Sequence, residues 1–511
     1  MRTILALALV LLAGCGARTT LSVGGDGGAA PPRDAGGRDA GLVDGGGRDA
    51  GGRDAGRPDG GPPRLECQRD ADCRMGVCRG SATDAPSDLE ALRLFCGAAD
   101  EDEAPAGAAC RERAACDRDL CAVAGVCVIP CGNDADCAAS ELCREVWVQT
   151  SASSMESVQA CTARVAAPST VRVAGPESGP ALGDVATADS LPNLRPNALV
   201  VWRGPAASEP LIERIVSLTP GDGVVFDAFV GGFPDDPAPA WGVGAATVGE
   251  LVTLMHPNGP ASPSSRRGFD VFLSSMVPGP SERVVLQREA DGASFDLDLY
   301  LVGGNGWLAP DGVVPADLAV AIDELRALYR PTGLAIREVR VHDVVGGLRR
   351  RFQVLTGSAG IIGAPPDLPE LYRLSAGANR PSVHVFFVRT IEDALGIASG
   401  IPGPHAMPGT RASGVAISAD LVGLDELAVV IGHEIGHFMG LFHTSELDGR
   451  VAEPLPDTPE CRTDRDVDGD GYLLPMECRG TGAENLMFWA GSGGEISAQQ
   501  AQIMRRAYFV E

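Results

Sequence analysis

One run of eleven residues limits what this chain can become: His433-Glu434-Ile435-Gly436-His437-Phe438-Met439-Gly440-Leu441-Phe442-His443. On a helix, His433 and His437 stand one turn apart on the same face. Two imidazoles at that spacing are placed to hold one zinc ion. Glu434 sits beside the first of them, within reach of a water on the ion. Gly440 can adopt a left-handed backbone, end the helix and let the chain return with His443 as a third nitrogen. Three protein nitrogens leave a fourth position open, which is the pattern of a catalytic site and not of a structural one. Three of only seven histidines fall in this run.

The residues that follow extend the pattern: His443-Thr444, Asp457-Thr458-Pro459, the interval from Cys461 to Cys478, and Asn485-Leu486-Met487. Together with the eleven-residue run they resemble the metzincin metallopeptidases, and within them the pappalysin branch that includes ulilysin. The close resemblance covers about 60 residues and a looser one about the last 210. It implies a C-terminal α/β (α+β) catalytic domain with a mixed sheet and a zinc helix. It implies zinc on His433, His437 and His443, with Met487 as the methionine of the turn beneath the metal. Members often carry a tyrosine two residues after that methionine. This chain has Trp489, so no tyrosine hydroxyl role is carried over.

The implied reaction is peptide-bond hydrolysis, with zinc making hydroxide available near neutral pH and Glu434 as general base. A surface adhesion or binding protein carrying an inactive metzincin-like domain is the rival reading. The presence of Glu434 separates the two. An enzyme acting on a non-peptide bond is the third.

At 511 residues the chain is long enough for three or four domains. Its formal charge of −26, from 42 Lys plus Arg against 68 Asp plus Glu, argues against nucleic acid or an anionic membrane surface as partner. A protein or peptide substrate remains. Met1-Arg2-Thr3, the apolar run Ile4 to Leu12 and Ala13-Gly14-Cys15 read as an export signal over residues 1–15. Leu12-Ala13-Gly14-Cys15 resembles a bacterial lipobox with Cys15 as the lipidated residue. An ordinary cleaved signal with a stray cysteine is the other option. No later segment is long and apolar enough to cross a membrane. The expected location is the bacterial cell envelope, held there by a lipid anchor only, or the secreted fraction.

Residues 16–65 are Gly, Asp, Arg, Ala and Pro, with Gly-Arg-Asp-Ala-Gly recurring, and read as a disordered tether. Its reach is on the order of 40 Å. Residues 66–163 hold twelve of the fifteen cysteines. Cys67-Gln68-Arg69-Asp70-Ala71-Asp72-Cys73 is echoed by Cys131-Gly132-Asn133-Asp134-Ala135-Asp136-Cys137, and Cys110 to Cys116 has the same spacing. Repeats this small need disulfides to be stable. Five residues between cysteines, with no histidine near, disfavour zinc there. With Cys461 and Cys478 the cysteines other than Cys15 number fourteen, so all can pair, and no obvious spare thiol remains to hold a metal latent.

Residues 165–293 carry short Val-, Ile- and Phe-rich runs between turn residues, which suits a β-rich, sandwich-like domain. From 294 to 511 the pattern changes. Phe295, Leu297, Leu299 and Leu301 alternate with Asp296, Asp298 and Tyr300, predicting a half-buried strand. Leu318, Ile322, Leu325 and Leu328 predict a helix between Pro315 and Pro331. Strands follow at Leu334 to Val341 and at Val383 to Val388, the latter central in the sheet, with His384 a strand residue and not a ligand. By its place just before the zinc helix, Gly414 to Ser418 resembles the metzincin edge strand, which in that family binds substrate in extended form; an ordinary edge strand is the alternative. The zinc helix is expected from near Asp425 to Gly440, and a capping box at Ser497 opens the last helix.

Asp466-Val467-Asp468-Gly469-Asp470-Gly471-Tyr472-Leu473-Leu474-Pro475-Met476-Glu477 fits the twelve-residue calcium loop. Asp466, Asp468 and Asp470 would offer carboxylates, Tyr472 its carbonyl and Glu477 two oxygens. A solvated acidic loop is the alternative. Cys461 and Cys478 bracket it, and a disulfide between them would shorten the ring an ion must close. The resemblance to pappalysins, which hold calcium in this interval, points the same way.

Overall fold

The computed structural model describes residues 67–511 apart from short stretches, chiefly 83–91, 98–107, 111–115, 117–119, 150–154, 164–170, 218–223, 228–243, 257–267 and 357–366. Cys15, the export signal and the tether lie outside the described residues. No described helix is long and apolar enough to cross a membrane.

Small β-units stapled by disulfides come first. The bridges are Cys67–Cys78 and Cys73–Cys96, Cys110–Cys121 and Cys116–Cys127, then Cys131–Cys143 and Cys137–Cys161. Each repeat joins its first cysteine to its third and its second to its fourth. The sequence echo has a structural counterpart. Asp72 accepts from the amides of Gln68 and Arg69, and Asp136 accepts from those of Gly132 and Asn133.

Next come two antiparallel sheets. One orders Val224–Asp227, Leu211–Ser217, Phe269–Ser274 and Thr187–Leu191; the other orders Gly244–Val248, Leu251–His256, Ala198–Arg203, Glu282–Arg288 and Val171–Ser178. Inward residues of both, among them Ile215, Val271, Val200, Trp202 and Leu254, share one core. Alternating strands must bury one face, and here each sheet covers the other.

The C-terminal region is an α+β layer, with elements numbered from its start. Its strands are β1 (Ser294–Leu301), β2 (Ala335–Asp343), β3 (Val383–Val388), β4 (Gly396–Ala398) and β5 (Val415–Ser418). Its helices are α1 (Ala316–Tyr329), α2 (Gly346–Phe352), α3 (Leu368–Tyr372), α4 (Leu427–Met439) and α5 (Ala498–Arg505). The sheet order is β2-β1-β3-β5-β4, parallel except for the antiparallel β4. The nearly all-apolar β3 is central, with His384 buried in it. Ser497 and Gln500 form the capping box that starts α5.

Two expectations need correction. First, β1 is buried on both faces, with Asp296, Asp298 and Tyr300 all enclosed. Helices α1, α4 and α5 cover one side of the sheet, and α2 and α3 cover the other. The alternating polar residues are not solvated; they are paired. Asp296 meets Arg337 at 2.8 Å. Asp298 takes Arg340 in two bonds of 2.9 and 2.8 Å and His342 at 2.8 Å. Burial alone would raise the Asp298 carboxyl, but Arg340 and His342 hold it well below the usual range. Second, β5 is not the edge. The chain between β3 and β5 folds back and lays β4 outside it.

The modules dock on one another. The outer face of the five-stranded sheet, with Leu199, Val201, Leu251 and Leu286, packs on Ala412 and Tyr508. The cysteine-rich core, with Val146 and Ala160, reaches Ala376. A chain of alternating charges crosses all three: Arg203, Glu250, Arg411, Glu370, Arg373, Glu145. Its middle links are 3.1 and 3.0 Å.

Candidate metal centre

Helix α4 is apolar nearly all round, and every residue but Val429 is buried. That is the pattern of a helix enclosed in a core rather than laid on a surface. It packs between α1, the sheet and the Met487 segment. Gly440 ends it at φ 107, and its amide stays bonded to the carbonyls of Gly436 and His437. A side chain would be strained at that φ. The turn brings His443 back under the helix.

The side chains of His433, His437 and His443 converge and are almost wholly enclosed. Nε2 of His443 lies 3.3 Å from that of His433 and 3.1 Å from that of His437. These are not hydrogen bonds between rings. Nδ1 of His433 donates to the Leu486 carbonyl at 2.7 Å, and Nδ1 of His437 to the Leu441 carbonyl at 2.8 Å. Nδ1 of His443 faces Oε2 of Glu446 at 2.9 Å. A carbonyl only accepts, so the proton sits on Nδ1 and each Nε2 turns a lone pair inward. Burial, reinforced by neighbouring imidazoles, pulls His433 down to about 3 and His437 well below the ordinary value, which keeps both rings neutral. Lone pairs this close repel unless a cation stands between them. Nitrogens each about 2.0–2.1 Å from one tetrahedral zinc stand roughly 3.3–3.4 Å apart. The residues therefore fit that ion.

Glu434 is buried against the start of β4. A methyl group built on Gly396 would lie 2.5 Å from its Cγ and 2.7 Å from its Oε1. Glycine at 396 is what lets the edge strand come this near. Ser418 donates to the Leu395 carbonyl and Ser399 to that of Gly414, while Ile397 stands opposite Ala416. In an antiparallel ladder the bonded residues alternate. The amides and carbonyls of Gly396 and Ala398 therefore turn away from β5, and no described strand pairs with them. Tyr372 donates to the Ile397 carbonyl at 2.9 Å and holds β4 from behind.

Met487 lies beneath α4. A methyl group on Gly436 would stand 2.5 Å from its sulfur. A closed ring of hydrogen bonds fixes this floor. Thr444 N bonds the Met487 carbonyl, Met487 N bonds Asn485 Oδ1, and Asn485 Nδ2 bonds Gln500 Oε1. Gln500 Nε2 bonds Glu453 Oε1, and Glu453 N returns to the His443 carbonyl. Burial pushes the Glu453 carboxyl up to about 8. Glu446, Tyr372 and Glu453 were not apparent in the sequence. Only Glu446 left a signal, an acid three residues past a candidate ligand, since such histidines usually give their second nitrogen to a carboxylate or carbonyl. Trp489 donates its indole N–H to the Leu473 carbonyl at 2.7 Å.

The acidic loop is only partly gathered. Asp466, Asp468 and Glu477 bring carboxylate oxygens within 4.8 Å of one another. Asp470 is not among them; its carboxylate accepts from the Tyr472 amide at 2.8 Å. Cys461 and Cys478 are bridged.

A group of three histidines able to hold a metal ion, with an adjacent carboxylate, on an α+β domain with a mixed sheet, is what fold and site define. No protein-family model and no curated protein matches the sequence. Among solved structures, metalloproteinase-II from Bacteroides fragilis is similar at 14% identity and a TM-score of 0.21, over 32% of this chain and 46% of that one. The overlap spans less than half of that protein, and the chemistry of the centre stands on its own geometry.

Proposed function

We propose that the chain is an extracytoplasmic zinc-dependent endopeptidase of the metzincin type, similar to the pappalysin branch and anchored to the cell envelope through lipid on Cys15. The convergence of three oriented imidazoles beside a buried carboxylate carries this reading. His433, His437 and His443 would hold the zinc, which when bound acidifies water and polarises a carbonyl. Glu434 takes a proton from the attacking water and returns it to the leaving amine. The backbone groups of Gly396 and Ala398 align an extended peptide along β4. The buried walls of α4 and β4 exclude bulk water from Glu434. Met487 keeps the ligands from shifting. The seven disulfides suit an oxidising, extracytoplasmic compartment. We also assign calcium to the acidic loop, on the gathered carboxylates of Asp466, Asp468 and Glu477, with Asp470 and the Tyr472 carbonyl completing the site only if the loop closes around the ion.

The test offers the purified protein a mixed peptide library and reads cut sites by mass spectrometry, with metal content measured in parallel. Glu434→Ala should keep its zinc and lose activity by roughly 100-fold or more. His437→Ala should lose both. Near wild-type cleavage by Glu434→Ala would refute the assigned role. A zinc-loaded wild type that cuts nothing would favour a binding protein with an inactive centre.

A further inference from the structure

The three imidazoles are not held alike. His433 and His437 lie on α4 and give their Nδ1 protons to main-chain carbonyls. His443 lies beyond Gly440, off the helix, and its Nδ1 faces a carboxylate, that of Glu446. This side chain is itself largely enclosed, at 13% exposure. The turn that carries it is pinned at several points. Glu446 N bonds the Val451 carbonyl, and Gly449 N bonds the Glu446 carbonyl, both at 2.9 Å. Cys461 N bonds Ser445 Oγ at 2.7 Å, and Leu473 N bonds the Leu447 carbonyl at 2.8 Å. Gly449, at φ 69, packs so closely that a methyl group there would meet Leu473 Cδ1 at 2.4 Å and Thr463 N at 2.7 Å.

We propose that Glu446 is a positioning residue of the metal centre: its carboxylate fixes the tautomer and ring angle of His443 and makes that imidazole the strongest donor of the three. This rests on the zinc reading above. A hydrogen bond to an ionised acceptor is roughly twice as strong as one between neutral groups. It polarises the N–H and enriches the far nitrogen in electron density. Carbonyls do this less, so the ligand with least support from the helix receives the most from its partner. Both anchors of the turn, Cys461 N and Leu473 N, come from the segment around the Cys461–Cys478 bridge. The segment thereby acts on the metal through Glu446, without touching it.

The experiment uses the full chain and measures zinc affinity by competition with a chromophoric chelator, together with the visible spectrum of the cobalt(II)-substituted protein. Glu446→Ala should bind zinc roughly 10- to 100-fold more weakly. Glu446→Gln keeps an acceptor oxygen without the charge and should fall between the two. Both should shift the cobalt bands. Asp448→Asn, on the same turn but turned toward Arg450, should match the wild type in affinity and spectrum. Glu446→Ala binding zinc as tightly as the wild type would overturn the proposal. So would an equal loss in all three variants, which would mean that the turn matters and the carboxylate does not. A wild-type chain that takes up no zinc would overturn the function reading as well, whereas an unaffected Glu446→Ala beside a zinc-binding wild type overturns this inference alone.

Discussion

At the scale of single residues, the centre depends on what two glycines leave out. Gly436 makes room for the Met487 sulfur, and Gly396 makes room for Glu434. A side chain at 396 must displace either the edge strand or the carboxylate, because a Cβ at 2.5 Å from Cγ is closer than atoms pack. A displacement near 1 Å at a reacting group costs about 100-fold in rate. Gly396→Ala should therefore lower kcat by roughly 10- to 100-fold while zinc content, which depends on the untouched histidines, stays the same. Cleavage kinetics with metal analysis check both halves. The convergence of the three histidines beside Glu434 was legible because it is local, fixed by one helix turn and one glycine. Gly396, Tyr372 and Glu453 were not, because each takes its role from a partner 25 or more residues away: Glu434, Ile397 or Gln500.

At the scale of elements, periodicity found the strands and helices of the C-terminal region but misjudged their surroundings. Alternation in β1 looks like one wet face. Arginines from β2 make that face dry, and nothing in the pattern of β1 itself announces them. The edge position was misplaced because β4 is three residues long, too short to show a period. The acidic loop is the element whose assignment is most open to direct test. Asp468 is raised despite a bond from the Asp470 amide, because desolvation and repulsion from Asp470, Glu477 and Asp466 outweigh it. A divalent cation would relieve that repulsion. Calcium should raise the melting temperature of decalcified protein, by about 2.7 kcal/mol of stability at a hundred times its dissociation constant. It should also slow proteolysis between Cys461 and Cys478. Asp468→Ala should abolish both effects, read by thermal scans across a calcium titration and by limited proteolysis with and without calcium. A flat melting temperature across the titration would leave a solvated turn.

At the scale of the whole molecule, composition and cysteine spacing marked out the repeats and the β-rich segment, but their docking was invisible, because it lies in pairs hundreds of residues apart such as Arg373 with Glu145. That arginine is the hub between the cysteine-rich module and α3. Arg373→Ala should lower stability by about 1 kcal/mol and speed cleavage between modules in limited proteolysis. The difference from wild type should shrink in high salt, where half-exposed charges are screened. A consequence for biogenesis lies in the crossed bridges of the three repeats. An oxidase that joined thiols in the order they leave the translocation pore would link Cys67 to Cys73, Cys110 to Cys116 and Cys131 to Cys137. None of these is a native pair. Either each repeat must fold before it is oxidised, or a thiol–disulfide isomerase must correct it afterwards. A host that supplies only an oxidant, and oxidises faster than a repeat folds, should therefore yield scrambled chains, trapped by their first bonds, even though no native bridge closes more than 24 residues.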